Sequence, residues 1–159
     1  MNKILLFSYG SNSTKQIRER LKLTEYLVYK PAYINNHIRI FAGNSKKWNG
    51  GVASLYPSKN KKTYGIVVEL REDQLSILSE YEKGYHLEKK AVILDKKEIE
   101  CYTYIKNKNK FINPPSLSYI NAINEMLDER KNIKNENRKL LIRYLRDKDS
   151  KRYILLYNL

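Results

Sequence analysis

The chain has one cysteine, two histidines, four prolines and six glycines in 159 residues. A single thiol excludes an intramolecular disulfide framework and any cysteine-only zinc site. Cys101 with His37 and His86 is too small a ligand set for a structural zinc. The scarcity of glycine and proline excludes a collagen-like repeat, and 42% hydrophobic residues with 30% charged describe a globular chain rather than a disordered one. Long apolar runs are absent, and none approaches the roughly 20 residues that span a bilayer. The start, Met1 to Gly10, is too short and wrongly flanked for a signal peptide. The expectation is one domain over residues 1–159, reduced and cytoplasmic, with no membrane partner.

Acidic residues are also scarce. Seventeen stand against 31 basic ones, for a formal net charge of +14. The lysines fall in many small groups, at 46–47, 59–62, 89–90, 96–97 and 106–110, and the basic tail runs from Arg130 to Arg152. Scattered charge describes a solvated surface better than one stripe, so nucleic acid is not the expected partner. Lys, Asn, Ile and Tyr share A/T-rich codons, and base composition accounts for much of the excess.

Hydrophobic periodicity predicts strands over 3–9, 26–34, 37–42, 52–56 and 63–70, and a hairpin over 86–94 and 98–105. The pair 26–34 and 37–42 is broken at Asn35-Asn36, and Pro57 to Lys62 reads as a turn. Residues 43–51 read as a polar loop holding Trp48, the only tryptophan. Helices are expected over 14–22 behind Ser13, over 72–82, and over 117–129 behind Ser116. A basic helix over 135–146 and a last strand at Tyr153 to Leu156 follow. Many strands with interspersed helices imply an α+β domain built on a curved mixed sheet or small β-barrel flanked by helices.

Two local features can carry chemistry. Tyr9-Gly10-Ser11-Asn12 lies between a strand and a helix. Gly10 permits positive φ, and successive N–H groups there can converge on a carboxylate or phosphate at a helix N-terminus. No Gly-Lys-Ser/Thr follows, so this is not a P-loop. The plain alternative is an ordinary strand-to-helix turn. The second feature is Glu82, four residues after Leu78 and on the apolar face of the helix expected over 72–82. A carboxylate desolvated on such a face has a raised pKa and suits general acid–base work near neutrality. The plain alternative is a frayed helix end in water. His37 and His86 read as surface or structural residues, Cys101 as a core thiol, and most of the 14 tyrosines as packing.

An ordered set of motifs resembles the gamma-glutamylcyclotransferase (AIG2-like) superfamily. Its signature YGSN stands intact at Tyr9 to Asn12. Phe41-Ala42-Gly43-Asn44-Ser45, Trp48-Asn49-Gly50-Gly51-Val52-Ala53 and Tyr64-Gly65-Ile66-Val67-Val68 resemble its next segments in order. Leu78 to Tyr85 resembles the helix end that carries its catalytic glutamate, and Cys101 to Tyr104 and Pro114 to Tyr119 complete the match. The resemblance covers about residues 3–125 and leaves a basic helical part at 126–159. It implies cyclisation of a gamma-glutamyl group to 5-oxoproline with release of an amino acid or amine, chemistry connected to glutathione metabolism. It implies Glu82 as catalytic base and acid, and Tyr9, Gly10, Ser11, Asn12 and Tyr85 as substrate-binding residues. No cofactor or metal is implied, because the nucleophile is the substrate's own amine. The glutathione-specific branch usually has Leu after YGS, and Asn12 stands there instead. The leaving group stays open, as does the oligomeric state, a homodimer included. A non-catalytic module that binds a gamma-glutamyl or other carboxylate ligand on the same fold is the alternative.

Overall fold

The computed structural model describes residues 2–107 and 112–129. The apolar segment at the start forms β1 (Lys3–Ser8), whose C-terminal half is buried on both faces. It pairs antiparallel with β3 (Gly50–Arg71), through Leu6↔Val68 and Phe7↔Val67. It also pairs parallel with β5 (Lys97–Lys106), at Leu6↔Tyr102. With β2 (Tyr29–Ser45) and β4 (Tyr85–Leu94), the five strands close a barrel in the order β1-β3-β2-β4-β5. This is the α+β, small-barrel architecture read from the sequence. Its core includes Leu6, Ile34, Ile66, Val68 and Val92, all wholly or almost wholly buried.

Among the described residues, three helices flank the barrel. α1 (Thr14–Leu21) begins behind Ser13, whose hydroxyl accepts the Gln16 N–H at 3.1 Å. α2 is Glu72–Ser79, and α3 (Leu117–Asp128) begins behind Ser116, which accepts from the Tyr119 N–H. α3 buries Ile120, Ile123 and Met126. Both serine caps are as expected from the sequence. Among the described residues, no helix is long and apolar enough to cross a membrane.

Several boundaries differ from expectation. The strands predicted at 26–34 and 37–42 are one strand, β2, and Asn35-Asn36 does not end it. Its register against β3 shifts between Asn35 and His37, with Asn36 at φ 57°. A left-handed asparagine there makes a bulge, which bends a strand without stopping it. Opposite, Asn35 pairs with Lys62 and His37 with Pro57, so the expected turn at 57–62 is an excursion inside β3. The Asn60 N–H closes it on Asn36 Oδ1 at 3.1 Å. The loop expected over 43–51 shrinks to the turn between Ser45 and Gly50. The β4–β5 hairpin turns on Asp95 and Lys96, both at positive φ, as a tight two-residue connection requires. The helix expected at 135–146 and the strand at 153–156 lie outside the described residues.

Gly65 explains one close approach. A Cβ there would lie 2.1 Å from the Ser8 carbonyl oxygen and 2.9 Å from the Phe7 ring. Only glycine lets β3 pass so near the end of β1, where the chain leaves the barrel as Tyr9 to Asn12.

Candidate functional site

The YGSN loop connects the end of β1 to the N-terminus of α1, so its residues sit at the rim of the barrel. The Tyr9 ring turns inward, is 4% exposed, and its hydroxyl donates to the Tyr104 carbonyl. The Tyr9 carbonyl accepts from Arg39 Nε at 2.8 Å, and Arg39 Nη2 reaches the Tyr64 carbonyl at 2.8 Å. A buried arginine of β2 thus ties the loop to β3. The Asn12 carbonyl accepts from the Ser8 hydroxyl at 2.7 Å. Among the described residues, the backbone N–H groups of Gly10, Ser11 and Asn12 make no hydrogen bond.

The expected positive φ at Gly10 is not present; among the described residues only Gly43 and Gly84 are glycines with positive φ. Space is the reason for glycine here. A Cβ on Gly10 would stand 3.3 Å from the Tyr119 hydroxyl and 3.6 Å from the Ala53 Cβ.

Glu82 reaches the same place from the other side. α2 ends at Ser79, so Glu82 is not in the helix over 72–82 that the spacing implied. The next three N–H groups bond back three residues, ending with Glu82 N–H to the Ser79 carbonyl at 3.0 Å. This tighter winding keeps Glu82 turned inward, because Gly84 at φ +84° reverses the chain directly after it. Its side chain is 14% exposed, while Glu80 is exposed, as the sequence suggested.

The two elements meet through Glu82 Oε1. Asn12 Nδ2 donates to it at 2.7 Å and Arg20 Nη1 at 3.0 Å. Arg20 Nη1 also donates to Asn12 Oδ1 at 2.9 Å, and Gln16 Nε2 donates to that oxygen at 3.0 Å. Gln16 and Arg20 share one face of α1, and Asn12, four residues before Gln16, meets that face from the loop ahead of the helix. Glu82 Oε2 makes no hydrogen bond among the described residues. Burial pushes the Glu82 carboxyl above its usual range. The Arg20 charge opposes that rise, helped by the bonds from Asn12 and Arg20 and by the charge of Lys47. Arg20 and Glu82 thus form an ion pair with both side chains largely out of solvent.

Around Glu82 lies a narrow crevice of about 40 Å³, lined by the YGSN residues, Ala53 and a ring of tyrosines. Tyr85 is in that ring, its hydroxyl donating to the Ala53 carbonyl at 2.6 Å. Tyr119 of α3 accepts the Ala53 N–H at 2.9 Å, and Tyr104 of β5 exchanges a hydrogen bond with Ser79 Oγ at 2.7 Å. Burial raises the pKa of Tyr9, Tyr85, Tyr104 and Tyr119, with Tyr104 pushed up to about 12. All four are neutral phenols near pH 7, able to donate and accept but not to act as bases. The crevice opens past Ser11, Glu82, Tyr85 and Tyr119 into a wider cleft of about 520 Å³.

The structure thus gathers Glu82, Tyr9, Gly10, Ser11, Asn12 and Tyr85 around one crevice. Arg20, Arg39, Tyr104 and Tyr119 were missed as members of the site. Only Arg20 had a readable signal, its helical spacing from Asn12. His37 and His86 sit at the surface, His86 between Glu88 and Asn107. Cys101 is buried in the barrel, its thiol pushed up to about 11 by burial. Among the described residues, no cluster of three or more His, Cys, Asp or Glu can hold a metal.

Comparison with known proteins bears on this geometry. A family model described as gamma-glutamyl cyclotransferase, AIG2-like, matches residues 6–121. Human gamma-glutamylcyclotransferase is 29% identical over 125 residues, which cover 72% of this chain and 65% of that relative. The mouse gamma-glutamylcyclotransferase is 29% identical over 130 residues, covering 75% and 67%. The chain therefore spans about two thirds of the length of the curated relatives it matches. A solved structure of a gamma-glutamyl cyclotransferase is similar at a TM-score of 0.78 and 25% identity, over 89% of this chain and 87% of that one.

Proposed function

This chain belongs to the AIG2-like gamma-glutamyl cyclotransferase family, and from that premise we propose that it converts a gamma-glutamyl substrate to 5-oxoproline. The observation that carries the reading is Glu82, held through Oε1 by Asn12 and Arg20 with Oε2 free at the crevice. A base must be both ionised and basic. Burial supplies basicity and the Arg20 charge supplies ionisation.

The reaction needs no nucleophile from the protein. Glu82 Oε2 takes a proton from the substrate's α-ammonium. The freed amine attacks the γ-carbonyl carbon, and the new C–N bond closes a five-membered ring. Glu82 then returns the proton to the departing nitrogen as the original C–N bond breaks, and the second proton of the ring nitrogen passes to the released amine, leaving the neutral lactam and an amino acid or amine in its ammonium form. The glutamyl chain is floppy, so holding amine and carbonyl together matters most. Such positioning contributes up to roughly 7–11 kcal/mol in favourable intramolecular cases. The N–H groups of Gly10, Ser11 and Asn12 suit the substrate's α-carboxylate, and the Tyr85 and Tyr119 hydroxyls face the same space.

The test is direct release of 5-oxoproline, measured by mass spectrometry, from gamma-glutamyl-alanine, ε-(gamma-glutamyl)lysine and glutathione. Glu82→Gln keeps an oxygen for Asn12 and Arg20 but cannot carry the proton. Turnover is expected to fall by about 10²–10⁴-fold in that variant. Wild-type turnover in Glu82→Gln removes Glu82 from the mechanism. The Arg20–Glu82 pair also suits a non-catalytic binder, because a paired acid is stable without performing chemistry. Binding of 5-oxoproline or a gamma-glutamyl ligand, with no product from any substrate, favours that second reading.

A further inference from the structure

We infer that the cleft outside the crevice selects leaving groups of net negative charge, with an acidic amino acid preferred over a neutral or cationic one. This rests on the proposed cyclisation, which seats the gamma-glutamyl group in the crevice and sends the rest of the substrate past Glu82 into the cleft. The two spaces share Ser11, Glu82, Tyr85 and Tyr119, so the leaving group has this route out.

The charge of the cleft is one-sided. Arg20, Lys46, Lys47, Lys83 and Lys106 line it against only Glu80 and Glu82. Glu82 is already committed to Arg20 at 3.0 Å. Lys46, Lys47 and Lys83 form no salt bridge among the described residues. Three of the cations rest on aromatic walls that limit where they point. Lys47 Nζ lies 5.0 Å from the centre of the Trp48 ring, Lys106 Nζ 4.9 Å from that of Tyr85, and Arg20 Cζ 5.2 Å from that of Tyr81. Arg20 Nε is buried without a hydrogen-bond partner. Burial first and the Arg20 charge second lower the Lys47 pKa, and an anion in the cleft favours its charged form. Three cations held near rings give the cleft a positive wall with which an anionic group can pair.

A leaving group such as alanine brings one carboxylate into this cleft, and glutamate brings two. Lysine linked through its side chain brings a carboxylate and an ammonium, and a simple alkylamine brings no negative charge. The expected order of kcat/KM is gamma-glutamyl-glutamate, then gamma-glutamyl-glutamine, then ε-(gamma-glutamyl)lysine. The first two differ by one charge at nearly equal size, so they isolate the effect.

The experiment measures 5-oxoproline release from that pair at low and high salt, in the wild type and in Lys47→Glu. The glutamate substrate is expected to be favoured about tenfold at low salt, mainly through KM, as two or three partly exposed ion pairs allow. The preference should shrink with salt and be lost in Lys47→Glu. Equal or reversed preference, with 5-oxoproline released from both, overturns the charge selection and leaves the cyclisation standing. If neither substrate turns over, and gamma-glutamyl-alanine, ε-(gamma-glutamyl)lysine and glutathione do not either, the cyclisation falls. Calorimetric titration of the same pair then decides the cleft separately, since tighter, salt-sensitive binding of the glutamate compound supports it and equal affinity overturns it.

Discussion

Arg20→Gln separates the electrostatic account of the site from a purely structural one. In the wild type, Arg20 Nη1 lies 3.0 Å from Glu82 Oε1, with the two side chains 9% and 14% exposed. A hydrogen bond to a charged group in such surroundings contributes about 1.5–3 kcal/mol. Removing the guanidinium takes that stabilisation from the ionised carboxylate only. Burial, already the dominant cause of the raised Glu82 pKa, then acts with less opposition. At 1.36 kcal/mol per unit, the acidic limb of kcat/KM should move up by about one to two pH units.

The sign follows from the role of Glu82 as base. Activity requires the carboxylate, so kcat/KM rises with pH through its titration. A higher pKa moves that rise to higher pH, and the variant recovers part of its activity as pH increases. Arg20→Lys keeps the charge but loses the planar fork, so its limb should lie between the other two. The assay is 5-oxoproline release across pH with a gamma-glutamyl substrate at concentrations well below KM. A limb that stays in place while activity falls equally at every pH refutes the argument and makes Arg20 a structural support only. Folding is checked by circular dichroism at each pH, because an isolated buried carboxylate costs stability unless it takes up a proton.

Three further outcomes follow from the same structure. The raised pKa of Glu82 means that the folded state binds its proton more tightly than the unfolded chain, so this group's contribution to stability falls as pH rises above the ordinary carboxylate range. Glu82→Gln should therefore match or exceed the wild-type Tm at neutral pH, and lose that advantage as pH falls into that range; a variant much less stable at pH 7 contradicts the desolvation cost. Gly10→Val places a branched side chain toward the Tyr119 hydroxyl and Ala53, and should raise KM for any gamma-glutamyl substrate; an unchanged KM in the folded variant counts against substrate binding at the YGSN loop. Glu129 accepts from both the N–H and the hydroxyl of Thr14 at the start of α1, so Glu129→Ala should cost about 1 kcal/mol, measured by urea unfolding; an unchanged midpoint and slope show that this anchor contributes nothing.

The readable and unreadable parts of the molecule differ in the range of the interactions that decide them. Ser13 and Ser116 cap helices through bonds to residues three positions on, and local pattern found both. The Asp95-Lys96 turn is equally local. The continuity of β2 and β3 is not. Asn35-Asn36 and Pro57 to Lys62 both look like breaks, yet each excursion lies opposite the other in a paired ribbon, where Asn36 and Asn60 bond across it. Tertiary pairing overrides the local signal there. Motif order was sufficient for the family, and it pointed to a glutamate that the structure places at the crevice, because Glu82 stays turned inward even though its helix stops short.

The partners of the carboxylate show why the electrostatics of the site were harder to read than its location. Arg20 is 62 positions from Glu82, and Tyr119 is 66 from the Ala53 N–H it accepts, so no local window contains either pair. Arg20 was still within reach of a helical argument. Asn12, Gln16 and Arg20 repeat every fourth residue, and a loop asparagine that leads into such a row directs the later members toward whatever the loop binds. Applied to the YGSN loop, that rule places Arg20 on the loop's side of α1, while the acid it meets comes from a distant segment. It also changes what Glu82 implies. An unpaired buried acid argues for catalysis by its cost alone, whereas a paired one argues for it only through its free oxygen. The decisive atom is therefore Oε2 and not the buried charge. Replacing Glu82 by glutamine, which keeps Oε1 and changes only what Oε2 can do, tests the mechanism more sharply than removing the side chain.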